Sequence, residues 1–480
     1  MTRHLHAMEQ ATQRFASSFG GTCFSPSDPG FAEARAAAVW NGAVRRQPSL
    51  IVRPRSNGEV VQAVAFALGE GSELTVRGGG HGFAGNTVAD GAVMIDLSAM
   101  RAVRVDPASQ RATVGAGASW ADLDAATAGH GLAVVGGTVS HTGVAGLTLG
   151  GGMGWLTRMQ GLSCDNLVAA TLVTADGRVV TASEGQHPEL FWGLRGAGAN
   201  FGVVTQLEFA LHPVNPMANI GLLFWGASEA RRALQFARDY VSVLPEGTNA
   251  LLAGMTAPAA PFVPAEYHGV DGFAVVVVSW GSQEDHAAAL QPLRELSPQF
   301  EMVSPIPYVE LQKLLDDDAP WGSLSYEKGL YLDELSDDVI DLLVEEFPRK
   351  TAPLTMLPMF RLHGAYCRVP EDATAFGGRR RPVWVLSVTA TASDPASFDA
   401  DRAWVRRVWE ALRAHSEDGS TYLNFASDPE DAQARARSSF GDVKYRRLAA
   451  LKARWDPENV FCHNANIRPD ASAARVPSEV

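Results

Sequence analysis

With 480 residues, 46% of them apolar and 19% charged, the chain has the composition of an ordinary globular protein long enough for two or three domains. Forty Lys and Arg against 53 Asp and Glu leave a formal charge of −13, which argues against an extended footprint for nucleic acid or an anionic membrane. Cys23, Cys164, Cys367 and Cys462 are widely spaced and form no CxxC pair, so neither a zinc ribbon nor a dense disulfide framework is expected.

The first 45 residues read as an Ala-rich helical lead-in, broken at Trp40-Asn41-Gly42. Met1 to Gly20 has no apolar core of signal-peptide length, and no stretch reaches the roughly 18 residues that span a bilayer. Reduced thiols and a cytoplasmic setting are the expectation. After Ser49–Pro54, Asn57 is placed to cap a helix with Val60, Val61, Val64 and Leu68 at helical spacing. Leu74-Thr75-Val76 then enters Arg77-Gly78-Gly79-Gly80-His81-Gly82, and an apolar strand follows from Gly91. Three consecutive glycines let the backbone turn and present its N–H groups to a ligand, and they deliver one histidine, His81.

Alternation at Val103, Val105, Ala112 and Val114 predicts a hairpin, and Ser119 with Asp122 predicts a helix start. A second glycine-rich block runs from Gly136 to Gly154. A dinucleotide fingerprint needs a strand, G-x-G-x-x-G and a helix, with an acidic residue about 20 positions on, and Met153-Gly154 breaks that spacing. Gly161 to Asn166 follows, then strands over Leu167–Thr174 and Arg178–Ala182, a short helix from Pro188, and a third glycine-rich block, Arg195 to Thr205. Beyond Met217 strands such as Ile220–Trp225 and Phe273–Trp280 alternate with amphipathic helices such as Ala230–Leu244 and His286–Leu296, which predicts a sheet with helices on one side. Arg379-Arg380-Arg381 sits beside glycines and reads as a solvated loop. Tyr445–Lys452 is an amphipathic helix. No HExxH or G-x-S-x-G motif points to a metallohydrolase or serine hydrolase.

In this order the three glycine-rich blocks resemble the berberine-bridge-enzyme-like branch of the vanillyl-alcohol-oxidase/PCMH-type flavin-linked oxidases, from about Leu50 to Pro213 and again at Trp455–Phe461 and Asn464-Ala465-Asn466-Ile467. The resemblance implies an α+β fold: a lead-in at 1–45, a PCMH-type FAD-binding domain at 46–215, an antiparallel-sheet substrate domain at 216–435, a segment at 436–470 completing the FAD domain, and a disordered tail at 471–480. It implies FAD held by one covalent 8α-histidyl bond through His81. Arg77, Gly78, Gly79, Gly80 and Gly82, with Thr142, Gly143, Val144 and Gly146, would hold pyrophosphate and ring. Gly150, Gly151, Gly152, Asn166, Gly202, Val204, Asn464 and Asn466 complete the implied cofactor set.

Two departures matter. Bicovalent members carry a cysteine where this chain has Val139, so a second thioether is not expected, and Cys164 is not at that position. Carbohydrate-oxidising relatives have Tyr-x-Asn-Tyr where this chain reads Tyr422-Leu423-Asn424-Phe425, and Phe425 cannot take a proton. An already activated substrate, an alcohol, amine or phenol-like compound, is expected instead, in the manner of the single-histidine bacterial 6-hydroxynicotine-oxidase-like members and enzymes of secondary metabolism. Tyr422, Asn424, Lys328 and His363 are the candidate catalytic residues, with His141 also near the ring; Val144 stands at the position that gates oxygen in relatives. The expected partners are a small-molecule substrate and dioxygen, with no nucleic acid, membrane or metal, in a monomer or homodimer. A dehydrogenase, an oxygenating tailoring enzyme, or a flavin-fold binding protein without turnover are the alternatives.

Overall fold

Short, fully apolar strands and longer alternating ones build different sheets. The computed structural model describes residues 2–427 and 429–470; the tail expected to be disordered, 471–480, lies outside them. Leu50–Arg53, Val93–Asp96 and Leu74–Arg77 pair in parallel, buried almost throughout, with Thr22–Phe24 as an antiparallel edge. The crossover helix Asn57–Gly69 is capped by Ser56, whose hydroxyl accepts from the Glu59 N–H, and Asn57 is its first residue rather than its cap. Val60, Ala63, Val64 and Ala67 form its buried stripe; Leu68, one residue past Ala67, is rotated off that stripe and 40% exposed.

The next sheet is antiparallel throughout: Val103–Asp106, Arg111–Gly115, Val203–Ala210, Leu167–Val173 and Val179–Ser183. The predicted hairpin is present, the two predicted strands Leu167–Val173 and Val179–Ser183 pair with each other, and the helix Trp120–Ala128 opens on a reciprocal capping box between Ser119 and Asp122.

The third sheet has seven antiparallel strands, in the order Phe300–Pro307, Met217–Gly226, Asp271–Ser279, Thr248–Thr256, Leu357–Leu362, Val383–Ala392, Leu324–Leu332. Successive side chains point to opposite faces. Val275 and Val277 pack beneath the helices Ala227–Val243, Gln283–Arg294, Asp337–Glu346 and Pro395–Arg413, whereas Val276 and Val278 join the core shared with the first two sheets. One face of this sheet is thus covered by helices, and the opposite face is turned towards the glycine-rich half of the chain.

The arginine run is not a solvated loop. Arg380 is buried and forks onto the Asp165 carboxylate at 2.7 and 2.9 Å, tying the glycine-rich region to the seven-stranded sheet, while Arg379 and Arg381 bind Asp333 and Glu417. The helix Pro429–Trp455, interrupted at Gly441 (φ 69°), carries the chain back: Lys452 Nζ, fully buried, donates to the Asn200 carbonyl, the Phe461 carbonyl and Asp456.

Candidate active site

A cavity of about 430 Å³ lies where the glycine-rich loops meet the uncovered face of the seven-stranded sheet. Its making begins with close backbone approach. A Cβ on Gly79 would stand 2.3 Å from Gly143 Cα, so only glycine at both positions lets the two loops touch. Gly80 (φ 74°) turns the chain, and its carbonyl accepts from Trp40 N–H at 3.0 Å. Arg77 lies beneath this turn: its guanidinium pairs with Asp96 at 3.3 Å and donates to the Ala37 and Gly79 carbonyls.

At the end of the loop, the His81 ring stacks on Trp40 (centroids 4.5 Å apart, planes 15°). Its Nε2 shares a hydrogen bond of 2.9 Å with His141 Nδ1. Burial, and then the neighbouring His141, push His81 down to about 3, so its imidazole is neutral near pH 7. The loop carrying His141 is held from below, where Asp316 accepts from the Ser140 N–H and hydroxyl at 2.7 and 2.6 Å. Trp40 and Asn41, legible in the sequence only as part of a helix break, thus serve the site: Trp40 lines the cavity, and Asn41 bonds both Phe83 and Ser325, linking the His81 loop to the sheet.

Of the residues picked from sequence, Gly78, Gly79, Gly80, His81, Gly82, Thr142, Gly143, Gly146, Gly150, Tyr422, Asn424 and Asn464 line the cavity, as does Val139. Tyr422 is locked: its oxygen accepts from the Gly152 N–H at 2.8 Å and from Asn424 Nδ2 at 2.9 Å, and burial pushes the phenol upward, away from ionisation.

The other picks stand behind the wall. Val144, fully buried, gives its N–H to the Ala118 carbonyl. Gly151 and Gly152 make room for Phe376, Tyr422 and Ser163. Asn166 bonds Gln160, Leu162 and His212; Gly202 packs on the Val173 carbonyl; Val204 is in the core; Asn466 is buried beside the cavity-lining Ala465. His363 is buried and pushed down to about 4, by burial and then by Arg158 and Arg361. Lys328 points to the helical face of its strand, Nζ 4.4 Å from the Trp409 ring centroid. Its neighbour Glu327 faces the cavity. Tyr326, Leu330 and Leu332 share the parity of Lys328, and that apolar stripe was the available signal that 328 faces helices.

The wall suits an extended, partly planar cofactor such as FAD. At Gly82 and Gly146 nothing lies within 4 Å of where a Cβ would stand, so open space faces bare backbone. Asn464, on the wall with His463 and Ala465, has a buried Oδ1 without a protein partner. Gly196 to Ala199, from the third glycine-rich block, complete that end; Asn464 Nδ2 donates to the Ala199 carbonyl at 3.0 Å.

Comparison with known proteins agrees with this geometry. A family model described as FAD binding domain matches residues 48–183, and one described as berberine and berberine like matches residues 421–468. (R)-6-hydroxynicotine oxidase of Paenarthrobacter nicotinovorans is 31% identical over 473 residues, covering 95% of this chain and 98% of its own. An FAD-linked oxidoreductase of Dictyostelium discoideum is 29% identical over 433 residues, covering 90% and 91%. Among solved structures, 6-hydroxy-D-nicotine oxidase from Arthrobacter nicotinovorans superposes with a TM-score of 0.83 at 28% identity, over 94% of this chain and 99% of that one. Sequence, fold and site together show that the chain belongs to the berberine-bridge-enzyme-like FAD-linked oxidoreductases.

Proposed function

We propose that this enzyme is an oxidase holding FAD through a single covalent bond to His81, acting on a small activated alcohol, amine or phenolic substrate, with dioxygen as electron acceptor and hydrogen peroxide as product. The observation carrying this reading is the state of His81: neutral, stacked on Trp40, with Nε2 engaged by His141. Nδ1 is then the nitrogen that would bond the cofactor, and a neutral ring has the lone pair to do so. When bound, FAD supplies a two-electron acceptor for hydride and a route for those electrons to dioxygen. Gly78–Gly80 and Gly143 would bring backbone close to it, and Asn464 would offer its unpartnered Oδ1 at the far wall. Tyr422 and Asn424 brace the Gly150–Gly152 turn. Val139 offers no thiol for a second bond, and Cys164 is walled off from the cavity, its thiol pushed up by burial.

The test is an acid-denaturing gel of wild type and His81→Ala read for flavin fluorescence, with peroxide release assayed on the native protein. A fluorescent wild-type band and a dark variant band are expected. A dark wild-type band with yellow supernatant would overturn the covalent bond, and reduction of flavin by substrate without peroxide would move the reading to a dehydrogenase.

A further inference from the structure

The cavity has a chemical asymmetry. Among the described residues on its wall the carboxyls are Glu327 and Asp318, and no lysine or arginine stands there. Around them the wall mixes the apolar side chains of Leu251, Met356, Pro358, Phe360 and Phe425 with the hydroxyls of Ser387, Thr389 and Thr391. Glu327 is 3% exposed. Its Oε1 accepts from the Ser387 hydroxyl and, at 3.3 Å, from Thr389, whereas its buried Oε2 has no protein partner. A buried carboxyl oxygen of a residue on the cavity wall is satisfied when a ligand settling against that wall brings the missing donor.

We propose that Glu327 Oε2 receives the nitrogen of the substrate, which makes the substrate class an apolar amine oxidised at the carbon beside its nitrogen. The binding stands on the geometry of Glu327; the oxidation rests on the oxidase reading above. The bound ammonium passes one proton to Oε2, freeing the nitrogen lone pair. The adjacent carbon then gives up a hydride to the oxidised flavin as the carbon–nitrogen double bond forms. Dioxygen takes the two electrons with the hydride's proton and the one held by Glu327. The net change turns one substituted ammonium ion and one dioxygen into one iminium ion and one hydrogen peroxide, with the single positive charge kept on nitrogen.

The groups facing Glu327 are the Ser387 and Thr389 hydroxyls on the adjoining strand, Ser427 Oγ at its backbone N–H, and the Tyr422 phenol, held neutral by burial; Asp318 shares the cavity wall. Burial pushes Glu327 up to about 8, against the pull of Ser387 and Thr389. Below that pH an ammonium ligand must displace the carboxyl proton, so affinity rises up to about tenfold per pH unit from pH 6 towards 8 and then levels.

Calorimetric titration of the FAD-loaded protein with benzylamine, benzyl alcohol and benzoate at pH 6, 7 and 8 tests this. Benzylamine should bind with that slope and at least about tenfold more tightly than the other two at pH 8; Glu327→Gln should weaken it about 10- to 100-fold and flatten the slope. No benzylamine binding, a flat wild-type profile, benzoate or benzyl alcohol binding as well as the amine, or an unchanged variant would each overturn the proposal. If Glu327→Gln fails to fold, the wild-type slope and ligand ranking still decide. Glu327-dependent amine binding without peroxide from any amine would sink the oxidase reading and leave the binding assignment standing; peroxide from an alcohol without Glu327-dependent amine binding would do the reverse.

Discussion

His81, half-buried, and Glu327, buried, are titratable groups on one cavity, and desolvation moves them in opposite senses, each towards its neutral form. For His81 the second influence is His141. If His81 carries the proposed covalent bond, replacing His141 with Ala strips Nε2 of its partner and lets the ring turn, so the share of protein with covalent flavin fluorescence should fall several-fold while total bound FAD is retained, as read by gel fluorescence against absorbance. Cys164, fully buried and with its thiol pushed up by burial, should stay unmodified by iodoacetamide in the native protein and react on denaturation, as followed by peptide mass. His81 was legible because the residue itself belongs to a local motif. Glu327 was not, because Tyr326-Glu327-Lys328 offers two charged residues of opposite parity, and only the packing of Tyr326, Leu330 and Leu332 under helices tells which one faces the cavity.

At the scale of elements, the site depends on two loops whose backbones touch. Gly79→Ala would put a methyl carbon 2.3 Å from Gly143 Cα, a backbone clash that neither loop can relieve by rotating a side chain. Loss of about 1–3 kcal/mol of stability is expected, with a substoichiometric flavin content measured by absorbance. Further along, the helix Trp120–Ala128 buries Asp124, with Gln312 Nε2 donating to Oδ2 at 3.0 Å and Oδ1 unpartnered. Burial pushes Asp124 up to about 7. Between about pH 4 and 7 the unfolded chain releases this proton and the folded chain keeps it, so its contribution to stability is full below that range and is lost as pH rises through it. Asp124→Asn should therefore melt progressively higher than wild type as pH is raised from 5 to 8; a gap that does not grow with pH would contradict this. The hairpins and capping box around these elements were readable from local patterns. The burial of Asp124 was not, because it needs Gln312, which no sequence spacing connects to that helix.

On the scale of the whole molecule, residues far apart in the chain are pinned together by a few buried polar joints. Arg380 on Asp165 is one; the Lys452–Asp456 pair, with Lys452 also on the Asn200 and Phe461 carbonyls and Asp456 accepting from Val460 and Phe461 N–H, is another. Lys452→Met would leave the Asp456 charge buried without its partner and should cost about 3–5 kcal/mol, seen as a lower melting temperature together with flavin loss. The return of the chain after residue 436 was implied by family resemblance, whereas the Arg380 joint was misread as solvated surface, since a run of arginines carries no mark of the carboxylate it will meet. That return has a bearing on the order of events in synthesis. His463, Asn464 and Ala465 reach the ribosome exit after every other residue lining the cavity. The chamber is therefore closed last, and a nascent or truncated chain lacking those residues should emerge colourless.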